Sequence, residues 1–384
     1  MFRALLPFIA ILPTSAYSLI SLVCAGRFFR KGLQPSTFNL QPSPPAVTIL
    51  KPVKGMDAGS YDNFASFCSQ EYAGPLQILF AAASVDDPVI PVIRRLIAGF
   101  PEHDISLVVN PAIHGPNYKV SNLINAFPSA RHDIIIVCDS DIRVAPDYLD
   151  SVTAHFSNPR TGLVTSLYRT SSVHNLATAV EATGFTTEMI PNVMVALQLE
   201  GLSFALGASM AVRREALASI GGFESLADYL ADDYQLGNKI HHAGWGIALD
   251  SCFVESMIRA ESLATVLSRQ LRWSRTMRVS PPGGYLASGI TLPFPAVLLA
   301  ALVSPTTTLA VMAIMLLYSV RLTVSCIFSR DFVGDGLLPR WLCLIPLRDM
   351  LAFCTWSLSF LGNRVEWRGS RFRLRPGGKI EELV

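Results

Sequence analysis

Ile134-Ile135-Ile136-Val137-Cys138-Asp139-Ser140-Asp141 sets five consecutive apolar residues directly before a pair of carboxylates. An unbroken apolar run of this length predicts a strand covered on both faces, as in a parallel sheet. Outward from it, residues 47–50 (Val-Thr-Ile-Leu, ending at Lys51 and Pro52), 76–80 and 105–109 are further short apolar runs. Residues 89–100 and 118–127, which lie between such runs, carry helical apolar spacing. Strand, helix, strand, helix in this order predicts an α/β fold with a doubly wound sheet. Ligands of such sheets bind beyond the carboxyl ends of the strands. Lys51, Asp86, Asp87, Asp139 and Asp141 follow strand ends and become candidate site residues.

Composition places this domain beside a membrane. Thirty-one Lys and Arg against 29 Asp and Glu leave a net charge of +2, and charged residues make up only 16% of the 384, against roughly 25% in soluble domains. With 51% hydrophobic residues and a mean hydropathy of +0.39, disorder is excluded. The near-balanced charge argues against nucleic acid as the main partner. Residues 4–26 and 280–320 hold no charge at all. The first stretch is long enough to cross a bilayer once, and the second, broken at Ser304 and Pro305, to cross twice. A third apolar stretch, 341–362, carries Pro346, Arg348 and Asp349 inside and is the candidate for a re-entrant or interfacial segment.

Four regions follow: an anchor over 1–30, a water-facing domain over 41–279, membrane segments over 280–363 and a basic tail over 364–384. Residues 4–26 also resemble a signal peptide in part, but Pro7 and Pro13 lie inside and Arg27, Arg30 and Lys31 follow at once, which favours an uncleaved anchor. Those cations predict an integral membrane protein with its central domain in the cytosol. The tail, with Arg364, Arg368, Arg371, Arg373, Arg375 and Lys379, prefers the same side or anionic headgroups. The seven cysteines are scattered without zinc spacing and read as reduced.

Each polar motif has a functional and an ordinary reading. Asp139 and Asp141 can approach one divalent ion, or one can hold the ion and the other a ribose, with a nucleotide diphosphate supplying further oxygens; turns rich in Asp produce the same pattern. Asp232 and Asp233, in a helix predicted over 228–242, either complement its dipole or supply a general base. Arg269 and Arg272, one helical turn apart before Trp273, either snorkel toward headgroups or clamp a leaving diphosphate. In residues 115–122, Lys119 and Asn122 open a helix that either meets phosphate or a nucleobase edge, or is an ordinary capped surface helix. Residues 189–204, uncharged but for Glu200, are either an interfacial surface for lipid or a buried helix.

Taken in order, VTILKPVKG (47–55), Asp86-Asp87-Pro88, GPNYKVSNL (115–123), CDSDI (138–142), residues 207–223, ADDY (231–234) and RQLRW (269–273) resemble the D, DxD, D, (Q/R)xxRW series of membrane-bound family 2-type glycosyltransferases. The chain is most similar to the ceramide glucosyltransferases of family 21 and to bacterial relatives that act on hopanoid lipids. The resemblance implies a GT-A fold, a UDP-sugar donor (UDP-glucose or UDP-N-acetylglucosamine), Mg2+ or Mn2+, inversion at the anomeric carbon and a membrane-lipid acceptor such as ceramide or a hopanoid polyol. In a bacterium it implies the inner or plasma membrane. Matched position by position, Asp87 is expected near uridine and Asp139 at ribose or metal. Asp141 completes a DxD where some relatives have Gly. Asp233 is the expected base, with Asp232 where relatives often have Glu, and Arg269, Arg272 and Trp273 form the last motif.

A processive polysaccharide synthase shares this series, but the spans available here are few for a polymer pore. An inactive scaffold would not need every carboxylate and both arginines. A transporter would place ionisable groups within 4–26 or 280–320.

Overall fold

The computed structural model describes residues 2–32, 43–170, 172–280 and 282–383; the expected domain start at residue 41 lies outside them. Eleven strands occur among the described residues: β1 (Val47–Pro52), β2 (Leu76–Ala82), β3 (Asp104–Val109), β4 (Ile134–Cys138), β5 (Ile142–Arg143), β6 (Thr161–Arg169), β7 (Ser209–Arg213), β8 (Gly246–Ser256), β9 (Arg364–Trp367), β10 (Ser370–Leu374) and β11 (Ile380–Glu382). The first eight form one sheet in the order β3-β2-β1-β4-β7-β6-β8-β5. β3, β2, β1 and β4 are parallel. β7 then enters antiparallel between β4 and β6.

Alternation along β1 and β4 explains why their runs are unbroken. Val47, Ile49, Ile134, Ile136 and Cys138 pack into one core with the helices Ser60–Cys68 and Ile90–Gly99. Leu50, Ile135 and Val137 face the opposite core under Tyr118–Ala126. A strand with apolar layers on both sides has no polar face to alternate. The strand order reverses between β1 and β4, which opens a crevice at their carboxyl ends.

The helix expected over 228–242 starts only at Asp232 (Asp232–His242). Residues just before it are taken up by the chain's last strands: Tyr229 bridges to Lys379, the Leu230 N–H donates to the Gly378 carbonyl at 3.4 Å, and the Ile380 N–H donates to the Asp228 carbonyl at 2.8 Å. The basic tail is therefore folded. β9, β10 and β11 form a small antiparallel sheet, and its Val365, Phe372, Leu374 and Ile380 bury Leu230.

Among the described residues three helices are long and apolar enough to cross a membrane: Phe2–Arg30, Thr307–Val333 and Leu338–Ser359. A bent pair, Gly283–Thr291 with Pro293–Val303, is broken by 56°. Ile11 on the first helix packs against Leu317 and against Ala296, Ala300 and Ala313, small residues that let apolar helices approach closely. The Ile345–Ser359 helix instead runs beside Leu263–Val279. Arg348 donates to Gln270 at 3.2 Å near one end, and just past the other the Gly362 carbonyl accepts from Arg278 at 3.1 Å. Its two interior charges are both buried and paired, Arg348 with Glu188 at 2.6 Å and Asp349 with Arg321 at 2.8 Å.

Candidate active site

Five elements converge on the crevice: the ends of β1 and β4, the start of Tyr118–Ala126, the start of Asp232–His242 and the middle of Leu263–Val279. Lys51, next to the last residue of β1, is fully buried. Its ammonium donates to the Asp139 carbonyl at 3.0 Å and lies 3.8 Å from the centre of the Phe67 ring, and burial lowers its pKa. Asp87 faces the loop that follows β1, and both of its carboxylate oxygens accept from the Gly55 N–H at 3.0 Å.

Lys119 ties two halves of the crevice together. Its ammonium meets Asp139 at 2.8 Å and Asp232 at 3.2 Å. Burial alone would lower its pKa, but Asp139 and Asp232 outweigh burial and hold it above the ordinary value. The helix that carries it is fixed by Asn117, whose Oδ1 caps the Val120 N–H at 3.1 Å and whose amide donates to the Tyr229 carbonyl at 2.7 Å. Asn122 is buried, with its amide 3.5 Å from the Val53 carbonyl.

Around this lysine the carboxylates are crowded. Asp139 is 39% exposed and faces the open crevice. Asp141 is pushed up to about 7, first by burial and then by Asp139 and Asp57; the Ser140 hydroxyl donates to Asp57 at 2.5 Å. Asp233 is pushed up to about 6 by burial and then by Asp232, with Lys119 acting in the opposite sense. The Asp233 carboxylate accepts from the Tyr234 N–H at 2.8 Å and lies against Gly207, where an added Cβ would come within 2.8 Å of Oδ2.

The two arginines of RQLRW differ in partnership. Arg269 is held by Glu181 (Nε to Oε1 2.8 Å, Nη2 to Oε2 2.5 Å) and by Glu261 at 2.7 Å. Arg272, among the described residues, forms no ion pair. Its pKa is lowered to about 10, first by burial and then by Arg269, and Asp233 is the carboxylate that acts on it. Trp273 follows, with its ring centre 6.0 Å from the Arg272 guanidinium.

The family model for Glycosyl transferase family 21 matches residues 6–380. The chain belongs to that family. It is a glycosyltransferase similar to "Ceramide glucosyltransferase 3" of Caenorhabditis elegans, 27% identical over 88% of this chain and 74% of that one. Another relative, the ceramide glucosyltransferase of Pyricularia oryzae, is 23% identical over 88% of this chain and 86% of its own. In fold the family member resembles a mannosyltransferase from Pyrobaculum calidifontis solved with GDP-Man and Mn2+, with a TM-score of 0.51, 18% identity and coverage of 92% of this chain and 99% of that one. The expected GT-A fold is thus the fold of the protein.

Of the residues singled out in the sequence, Asp139, Lys119, Asp232, Asp233 and Arg272 come together. Arg269 turns to glutamates, Lys51 supports the β4 end from below, and Asp87 shapes the loop after β1. Glu181, Glu261 and Asp57 went unnoticed because nothing in their local sequence separates them from ordinary acidic residues. Gly207 lies in a segment whose resemblance was seen, but its contact with Asp233 is a property of the fold.

Proposed function

We propose that this family 21 member transfers one hexose or N-acetylhexosamine from a UDP-sugar to the hydroxyl of a membrane lipid, with inversion. The observation that carries this reading is the meeting, through Lys119, of a strand-end carboxylate (Asp139) with Asp232, the neighbour of Asp233 at the helix start, together with an Arg272 that has no ion pair among the described residues. The arrangement supplies the groups that such a transfer requires: carboxylates for a cation and for a proton, and a guanidinium for the charge on the departing diphosphate.

In this reading Asp87 and Asn122 face the nucleoside end, and Lys119 lies near the phosphates. Among the described residues no three His, Cys, Asp or Glu side chains gather as a ready metal cage. The crowding of Asp139 and Asp141 nonetheless fits a divalent ion whose remaining ligands are diphosphate oxygens. Bound there, Mg2+ or Mn2+ supplies Lewis-acid stabilisation of the leaving diphosphate. Arg272 stabilises the same leaving charge, and its half-buried guanidinium is costly to hold without an anion. Asp233 takes the proton of the acceptor hydroxyl, a role its raised pKa suits because a stronger base is still ionised near neutral pH. Gly207 leaves that carboxylate its room, and Arg269, bound by Glu181 and Glu261, holds the helix that presents Arg272.

The membrane arrangement follows the same reading. The catalytic domain lies on the cytosolic face, Phe2–Arg30 and Thr307–Val333 cross, and the bent pair 283–303 crosses in the opposite sense to Thr307–Val333. The Ile345–Ser359 helix lies at the interface, held at both ends to Leu263–Val279, which lets the tail return to the catalytic domain. Lipid headgroups then reach Asp233 by lateral encounter.

The test incubates detergent-purified protein and Mg2+ with a panel of UDP-sugars and with ceramide, hopanoid polyol or diacylglycerol, and reads the products by mass spectrometry. A lipid heavier by one sugar is the expected result. A growing polymer, or UDP release without a glycosylated lipid, would sink the lipid-acceptor reading.

A further inference from the structure

The C-terminal hairpin carries one arginine at its tip, against the loop that follows β1. β9 and β10 pair with Trp367 opposite Ser370, so Arg368 and Gly369 form a two-residue turn, with φ of 52° and 88°. Both values are left-handed, the pattern of a turn that prefers Asn and Gly. Arg368 is the one non-glycine with positive φ among the described residues, a conformation that any residue with a Cβ adopts only at a cost. A charged side chain kept at such a position marks a candidate functional site.

The folded tail, from β9 to β11, is tied to site-bearing elements on several sides. Arg275, on the helix of Arg272, donates to the Arg364 carbonyl at 2.6 Å. Gln235, two residues after Asp233, donates to the Gly377 carbonyl at 3.1 Å. Tyr118, adjacent to Lys119, donates to Glu382 at 2.6 Å. At the tip, Arg368 Nη1 donates to the Lys54 carbonyl at 2.8 Å, immediately before the Gly55 N–H held by Asp87. One edge of the guanidinium thus spans to the loop after β1. The Arg368 charge also reaches Arg272, where it adds to the lowering by burial and Arg269. Neither arginine forms an ion pair among the described residues. Two guanidiniums from separate elements, near enough for one charge to act on the other and without a shared carboxylate, suit a multivalent anion.

We propose that Arg368 is a ligand of the donor's diphosphate, presented by a C-terminal strap that closes the crevice between the loop after β1 and Arg272. The proposal rests on the nucleotide-sugar reading above. It assigns the basic tail to the donor site rather than to lipid headgroups.

Arg368→Asn tests it, because Asn suits the left-handed turn while removing the charge. UDP binding with Mg2+ is measured by calorimetry on full-length protein in detergent, alongside hydrogen exchange of residues 364–374. The variant should keep wild-type protection of the hairpin and bind UDP roughly 10- to 100-fold more weakly, the loss of a charged hydrogen bond, with uridine binding unchanged. Arg368→Lys should recover part of the affinity, and Arg371→Ala, an exposed cation on β10, should match wild type. Equal UDP affinity in wild type and Arg368→Asn would overturn the proposal and leave the donor reading intact. Weakened binding with lost hairpin protection would overturn it as a scaffold effect. Wild-type protein that binds no UDP would overturn the donor reading, and this proposal with it.

Discussion

Gly207→Ala isolates the placement of the base from its chemistry. A Cβ built at Gly207 lies 2.8 Å from Oδ2 of Asp233, 3.3 Å from its Cγ and 3.4 Å from its Cβ. Ordinary contact begins at 3.4 Å, so the methyl group intrudes on the carboxylate oxygen by about 0.6 Å. The Gly207 backbone is not left-handed, so alanine fits the main chain, and the smaller entropy of its unfolded state adds about 0.4–1 kcal/mol of stability. The strain falls on Asp233, which turns away or withdraws. A misplacement approaching 1 Å at a reacting group costs on the order of 100-fold in rate. We therefore expect kcat for sugar transfer to fall by roughly 10- to 100-fold while UDP affinity and thermal midpoint stay near wild type. The assay follows UDP release and glycolipid by mass spectrometry with saturating donor. Gly26→Ala, where an added Cβ meets nothing within 4 Å, serves as the control. Wild-type kcat in Gly207→Ala would refute the assignment of Asp233 as a precisely positioned base.

The remaining predictions concern charge. Asp233 is pushed up to about 6 by burial and Asp232, and the base must be ionised to act, so kcat/KM should fall as pH drops through about 6; Asp233→Asn should bind UDP but lose transfer, and near-normal turnover would move the role to Asp232. Arg269→Ala strands the buried Glu181, at about 3 kcal/mol of stability by the usual cost of breaking a buried pair, read as a lower thermal midpoint. Arg272→Ala should leave that midpoint unchanged or higher and cut kcat at least 100-fold, the scale of a lost transition-state donor; a membrane-association defect without loss of kcat would return Arg272 to snorkelling. Chelation should abolish transfer and Mn2+ or Mg2+ restore it, whereas full activity in EDTA would remove the metal from the mechanism.

Much of the fold was legible because its signals are local. Unbroken apolar runs ending in polar residues marked β1 to β4, and the charge-free stretches marked the membrane helices. β7 was not legible: its antiparallel entry between β4 and β6 depends on partners that both lie more than 40 residues earlier in the chain. The late start of Asp232–His242 was equally hidden, since Asp228 to Leu230 pair with strands at the far end of the chain.

By itself the sequence determined the α/β class, the membrane anchoring and the residue types at the crevice, because apolar periodicity and strand-end carboxylates are properties of neighbouring residues. Only the tertiary structure decided how those residues are shared out. It gave Arg269 to Glu181 and Glu261, left Arg272 without an ion pair among the described residues, joined Asp139 to Asp232 through Lys119 and folded the tail against Asp228 to Leu230. Which charges meet depends on distances between elements far apart in the chain, and those distances exist only after the two cores have packed.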